Sequence, residues 1–165
     1  MRYYCVIDTN VLVSALLKES SVPGEIVKLI RDDLIVPLLY DDILNEYSDV
    51  LFRNHFDFDI KKIKETIDLL FDKGVYITPT KSNEVFIDKD DAIFYEVVLT
   101  KRKEVESYLV TGNIKHFPTR YFVVTPREML KIIEEDKKKT DNWIVRLSVF
   151  NSLLNFVNIF NLIRY

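Results

Sequence analysis

The sequence predicts an α/β fold: a three-layer α/β/α sandwich around a mostly parallel five-stranded sheet. Three observations predict it. Short runs of β-formers alternate with longer stretches of helical periodicity through residues 3–136. The first run, Tyr3-Tyr4-Cys5-Val6-Ile7, is continuously apolar, as a strand covered on both faces must be. The length, 165 residues, suits one domain with a proper core. Connections between parallel strands are expected to be right-handed.

Strand one is residues 3–7, closed by Asp8-Thr9-Asn10. Helical spacing follows in Val11, Leu12, Ala15 and Leu16. A second helix is predicted over about 23–32, with Pro23 in its first turn and Ile26, Val27 and Ile30 on one face. Residues 34–39 read as a second strand, whose end Pro37 weakens because it has no N–H for the ladder. Asp41 or Asp42 can cap a third helix, 42–53, with Ile43, Tyr47, Val50 and Leu51 as its apolar stripe. A fourth helix, 59–73, carries Ile60, Ile63, Ile67, Leu70 and Phe71 and ends at Gly74. Residues 75–77 form a third strand. The acidic turn from Asp88 to Asp91 opens a fifth helix, 91–102. Residues 107–110 and 122–124 are strands four and five, and Pro126 starts a helix reaching about residue 136.

Residues 137–165 change character. They follow Lys137-Lys138-Lys139 and are largely apolar from 143 onward, with Ser148, Asn151, Ser152, Asn155 and Asn158 on one narrow helical face. The reading is therefore a domain over 1–136 and a basic linker with an apolar helical extension over 137–165. The extension suits docking or oligomerisation, with a segment foreign to the domain and a membrane-lying helix as the alternatives. Its asparagines argue against an integral membrane span.

Composition narrows the function. Apolar residues make up 48% and charged residues 30%, which fits a soluble globular chain. Residues 137–165 hold five basic groups and one acid, leaving 18 basic and 25 acidic groups in 1–136, a net −7 against +4. An acidic body does not coat duplex DNA by bulk electrostatics. It does accommodate carboxylates that need cations. The single cysteine, Cys5, excludes an internal disulfide and a Cys-based zinc cluster, and fits a reducing cytoplasm. It lies in an apolar run and reads as a core thiol. The start of the chain does not read as a signal peptide, because its apolar run is too short.

In an open α/β sheet, ligands bind beyond the carboxyl ends of the strands. Asp8 closes strand one, Asp90 and Asp91 begin helix five, and Asn113 follows strand four. Glu46 lies three residues after Ile43 and four before Val50, at the edge of a buried stripe, so its carboxylate can reach inward over the sheet end. Gathered carboxylates repel one another unless a cation neutralises them. Oxygen-only ligands select hard ions, Mg²⁺ or Mn²⁺. Each residue also has a plain structural reading. Asp8 is a natural helix cap, Asp90 and Asp91 favour a helix N-terminus, Glu46 is a solvated helix residue, and Asn113 is a turn residue. Their placement at one end of the sheet favours the site.

Four motifs then resemble those of the PIN-domain ribonucleases. They are Val6-Ile7-Asp8-Thr9-Asn10-Val11-Leu12-Val13-Ser14-Ala15, Asp42-Ile43-Leu44-Asn45-Glu46-Tyr47-Ser48-Asp49-Val50-Leu51, Asp88-Lys89-Asp90-Asp91-Ala92-Ile93-Phe94 and Leu109-Val110-Thr111-Gly112-Asn113. They occur in order over about residues 1–130. The branch resembled is the VapC-like toxin component of toxin–antitoxin pairs. The resemblance implies metal ligands at Asp8, Glu46 and Asp91, with Asp90 as the register alternative. It implies small hydroxyls near the site at Thr9 and Thr111, and a structural Asn10 bonding across the strand-to-helix turn. Asn113 stands where many members carry Asp. An amide can coordinate or orient water but adds no charge, so one metal is better supported than two. The link through residues 101–106 is also longer than usual, and the extension from about 137 has no counterpart.

The implied activity is a Mg²⁺- or Mn²⁺-dependent endoribonuclease, with an antitoxin protein and a homodimer as expected partners. Lys18, Arg53, Lys89, Lys101, Arg102, Lys103 and Lys115 are candidates for phosphate contact, and His116 reads as a surface turn residue. A catalytically degenerate PIN-fold binding module is the main alternative. A receiver-type phospho-acceptor domain would need an acidic pair near strand one, and an Asp-x-Asp phosphatase would need Asp at position 10. Strand one offers only Asp8, followed by Thr9-Asn10.

Overall fold

The computed structural model describes residues 1–162 apart from residues 54, 55, 57 and 87–89, and from residue 149 onward it describes the backbone alone. The elements run β1 (Tyr3–Ile7), α1 (Thr9–Leu17), α2 (Val22–Arg31), β2 (Ile35–Leu39), α3 (Asp41–Leu51), α4 (Ile60–Lys73), β3 (Val75–Tyr76), α5 (Ala92–Lys101), β4 (Ser107–Val110), a 3-10 turn (Ile114–His116), β5 (Val123–Val124) and α6 (Pro126–Leu162). The sheet has five strands in the order β3-β2-β1-β4-β5, and every pairing is parallel. The fold is the predicted α/β sandwich.

The strand order decides where a site can form. The chain moves outward from β1 through β2 to β3, then crosses back to place β4 on the other side of β1. The connections that leave β1 and β4 therefore diverge, toward β2 and β5, and a crevice is expected between the carboxyl ends of these two strands. With right-handed connections the outward helices and α5 cover opposite faces. The packing agrees: α2 meets β2 and α4, while α5 meets β1, β2 and β4.

Burial explains the central strands. Cys5, Val6 and Ile7 of β1 and Leu109 and Val110 of β4 are fully shielded, and β2 is buried throughout. Each such aliphatic side chain contributes about 2 kcal/mol. Cys5 sits in this core, and burial pushes its thiol well above the ordinary range. Caps then fix the helix starts. Ser21 accepts the Gly24 N–H at 3.2 Å with Pro23 in the first turn, and Asp59 accepts the Lys61 N–H at 2.9 Å. Thr125 and Glu128 form a reciprocal capping box at the start of α6, with bonds of 2.7 and 3.2 Å.

Several local expectations change. Neither Asp41 nor Asp42 caps α3. Tyr40 holds the cap position without a side-chain bond, and both acids lie in the first turn, where they meet the helix dipole. Pro37 does not mark a strand end: it pairs with Cys5 inside β2, and pairing with β3 starts only at Leu38, after the proline. On α4 only Ile63 and Leu70 are buried, and Ile60 and Phe71 face solvent. α4 packs against α2 and β2, on the side of the sheet that ends in the two-residue edge strand β3. Gly74 does end α4, with extended rather than left-handed backbone. A Cβ there would meet Leu39 Cδ1 at 2.4 Å and the Leu70 carbonyl at 2.5 Å, so close packing requires the glycine. Asp88 and Lys89 lie outside the described residues.

Two compact units are present, Met1–Met129 and Leu130–Tyr165. The expected terminal helix and the expected helical extension are one continuous element, α6. Around its middle Trp143, Ile144, Val145 and Leu147 are exposed. Among the described residues no helix is long and apolar enough to cross a membrane.

Candidate active site at the carboxyl end of the sheet

β1 ends at Ile7, and its last hydrogen bond to β4 carries Asp8 into place: the Asp8 N–H donates to the Val110 carbonyl at 2.9 Å. Asp8 is the N-cap of α1. Its Oδ1 accepts the Asn10 N–H at 3.1 Å, while Oδ2 accepts the Asn10 side-chain amide at 2.6 Å and the Thr111 hydroxyl at 2.5 Å. Capping and a place at the sheet end are thus compatible properties of one side chain. Asn10 also reaches across to the β4 turn, where its Oδ1 accepts the Gly112 N–H at 2.9 Å. The Thr111 hydroxyl in turn accepts the Asn113 N–H at 2.9 Å. The turns after β1 and β4 are therefore tied to each other.

Thr9 connects this unit to α3. Its hydroxyl donates to Glu46 Oε1 at 2.5 Å. The next residue on α3, Tyr47, is buried and donates its hydroxyl to the Ile7 carbonyl. Asp91 stands at the N-cap of α5 and makes no cap bond with its side chain. Instead its Oδ2 lies 3.2 Å from His116 Nδ1 of the 3-10 turn.

The electrostatics follow from this crowding. Asp8 is only 7% exposed, and burial raises its pKa against the lowering effect of Thr111, Asn10 and the nearby His116. Glu46 is raised first by burial and then by the charges of Asp8, Asp91 and Asp90, with the Thr9 bond opposing. Tyr47 is raised well above its ordinary value by burial and by the same two carboxylates, Asp8 and Glu46. Burial is the first cause of all three shifts, and for Glu46 and Tyr47 neighbouring negative charge adds to it.

A cleft of ≈ 550 Å³ opens beside the carboxylates, with Asp42, Glu46, Asp49, Asp90, Asp91 and Arg53 in its wall. Asp8 and Thr9, both nearly buried, do not line it. The other basic candidates divide. Lys101 pairs with Glu104 at 2.8 Å and lies over the Tyr4 ring, and Arg102 donates to the Ser107 carbonyl at 2.5 Å and stacks on Tyr121 and Phe122. Lys103 donates to Thr80 at 3.3 Å. These three gather at the amino end of β4, away from the cleft, because α5 runs antiparallel to the strand that follows it. Lys18, Lys115 and Asn113 are exposed, and Lys89 lies outside the described residues.

The donor set fits a hard divalent ion in its chemistry: carboxylate oxygens, hydroxyls and an amide, with one imidazole at the rim. It is not gathered to a coordination point. Among the described residues no three carboxylate, imidazole or thiol groups converge on one ion position.

Sequence reasoning missed two residues of this constellation. His116 reads as a turn residue because its partner Asp91 is 25 positions away, and only the 3-10 turn after β4 brings them together. Tyr47 reads as core from its helical spacing. Its hydroxyl beside Glu46 was the available signal, since a buried phenol needs an acceptor.

Comparison with known proteins gives a consistent picture. The sequence pattern of the PIN domain matches residues 4–115. An uncharacterized protein of Methanocaldococcus jannaschii is 30% identical over 147 residues, covering 79% of this chain and 91% of the relative. No solved structure matches the chain.

Proposed function

The chain belongs to the PIN domain family, generally a nuclease fold, and on that premise we propose that it is a metal-dependent endoribonuclease, the toxin of a toxin–antitoxin pair. One observation carries the nuclease reading. Asp8, Glu46 and Asp91 lie near the switch point of the sheet, and Glu46 is raised first by burial and then by the charges of Asp8, Asp91 and Asp90, a grouping of negative charge that a cation would relieve. Asp8, Glu46 and Asp91 would hold Mg²⁺ or Mn²⁺, with Asp90 as the alternative to Asp91 and Asn113 as a neutral helper. The ion, when bound, would supply charge neutralisation for a phosphate and an acidified water.

The remaining work falls to side chains. Thr9 holds Glu46 Oε1, which leaves Oε2 to take a proton from the attacking water. Thr111 and Asn10 hold Asp8 by three bonds, fixing its carboxylate before substrate arrives. His116 steadies Asp91. Arg53 and Lys115 meet backbone phosphates. The nuclease unit is assigned to residues 1–136 and association to residues 137–165, where Trp143, Ile144, Val145 and Leu147 are exposed. A homodimer, a small antitoxin protein and a cytoplasmic location complete the reading. A short reading frame directly beside the gene would support the toxin assignment, and its product should abolish cleavage.

A second reading has one observation in its favour: the described carboxylates do not converge. In that case the chain is a degenerate PIN-fold binding module. Mn²⁺ titration separates the two. The nuclease reading requires tighter binding by the unaltered chain than by Asp8→Asn, and equal binding would overturn it. The receiver and phosphatase alternatives fall away with the family.

A further inference from the structure

Among the described residues, every charged group in the wall of the cleft is acidic except Arg53. Asp42, Asp49, Asp90 and Asp91 share that wall, yet Arg53 makes no ion pair among the described residues. Lys101 and Arg102, by contrast, are committed to Glu104, the Ser107 carbonyl and aromatic faces. Arg53 therefore offers an unspent guanidinium in a negative cleft, which suits a phosphate.

Phe52, the preceding residue, supplies the complementary surface. Its N–H still donates to the Ser48 carbonyl at 3.1 Å, so it keeps the register of α3. It follows Asp49 by three residues and Asn45 by seven, and both of these line the cleft, so Phe52 belongs to the same side of the helix. It is 45% exposed and makes no ring contact among the described residues. Phe56 and Phe58 differ, because they stack on each other with centroids 5.1 Å apart. An exposed aromatic face next to an available cation is the combination that holds single-stranded nucleic acid: the ring takes a base and the cation takes the adjoining phosphate.

We propose that Phe52 and Arg53 form a single-strand anchor, with an unpaired nucleobase stacked on Phe52 and its neighbouring phosphate on Arg53. The anchor rests on the ribonuclease reading and assigns the grip on an unpaired nucleotide to Phe52 and Arg53. A duplex presents no free base face to Phe52.

The test uses the full chain, with Ca²⁺ present to neutralise the acidic wall while slowing hydrolysis. Fluorescence anisotropy follows binding of a short single-stranded RNA, an abasic strand of the same length and an RNA duplex. Phe52→Ala should weaken the single-stranded RNA about tenfold and leave the abasic strand unchanged. Phe52→Leu should weaken it as much, since it keeps apolar area without a ring, and Phe52→Tyr should restore it. Arg53→Ala should weaken RNA and abasic strand alike. Binding of RNA that ignores Phe52→Ala, equal losses on the abasic strand, or full affinity with Phe52→Leu would each overturn the anchor alone. An unaltered chain that neither binds RNA nor cleaves it with Mn²⁺ overturns the ribonuclease reading, and the anchor with it.

Discussion

Asp8 accepts three hydrogen bonds, two from Asn10 in its own turn and one from Thr111 beyond β4. Such a carboxylate is oriented before any ligand arrives. Among the described residues Glu46 is held by one side-chain bond, from Thr9. Thr9→Val keeps the side-chain shape and removes the donor. It should cost about 1 kcal/mol in a denaturant titration and weaken Mn²⁺ binding about 10- to 100-fold by calorimetry. Unchanged Mn²⁺ affinity would show that the Thr9 bond does not orient the site. The pH dependence has a definite sign. Asp8 and Glu46 are raised above ordinary values of 3.8 and 4.5, so they gain protons earlier on acidification. Metal-supported cleavage should therefore fail on the acid side above the usual carboxylate range. Over the same window the fold binds more protons than the unfolded chain, so stability falls as pH rises through it and is level above. Mn²⁺ should accordingly raise Tm at neutral pH and lose that effect in acid. Asp8, Glu46 and Asp91 are legible as candidates because strand ends and helix edges follow from local pattern. The Asp91–His116 pair is not, because it depends on where α5 starts relative to β4.

The elements were readable in order and type wherever apolar periodicity was strong, as in β1, β4 and α2. Failures came where two local rules competed. Pro37 is a poor strand residue, yet full burial of β2 and the late start of β3 accommodate it. Asp41 and Asp42 are good caps, but the chain leaves β2 so directly that Tyr40 takes the position. The corner between α1 and α2 gives a test of packing at this scale. A Cβ on Gly24 would lie 2.0 Å from the Glu19 carbonyl oxygen and 2.7 Å from its carbon, both backbone atoms that cannot turn aside. Gly24→Ala should cost about 3 kcal/mol in equilibrium unfolding. A loss near zero would mean that the corner moves freely. Gly112→Ala is milder, because the added carbon would meet the Asn10 side chain, with Oδ1 at 3.0 Å and Cγ at 3.6 Å, and no backbone atom among the described residues. It should disturb the link between the β1 and β4 turns more than the fold, and so lower Mn²⁺ affinity with little change in Tm.

Strand order is a property of the whole sheet, and the sequence carries no direct sign of it. Alternating strands and helices imply parallel pairing, but the return from β3 across β1 to β4 comes only from the assembled sheet. That return places the turns after β1 and β4 side by side, where Asn10 and Thr111 tie them together. Charge, by contrast, is legible at once. Residues 1–136 carry a net −7, and among the described residues the cleft wall shows a single cation, Arg53. RNA binding should therefore involve one or two phosphates, with a slope of about −1 in a plot of log affinity against log salt. A slope several times steeper would place the RNA on a different surface. The most direct measurement is cleavage of a defined single-stranded RNA by the unaltered chain and by Asp8→Asn, each with Mn²⁺ and with EDTA. The account predicts cleavage only by the unaltered chain with Mn²⁺, while circular dichroism shows the variant folded. Cleavage by folded Asp8→Asn at the unaltered rate, or cleavage that persists in EDTA, would contradict it.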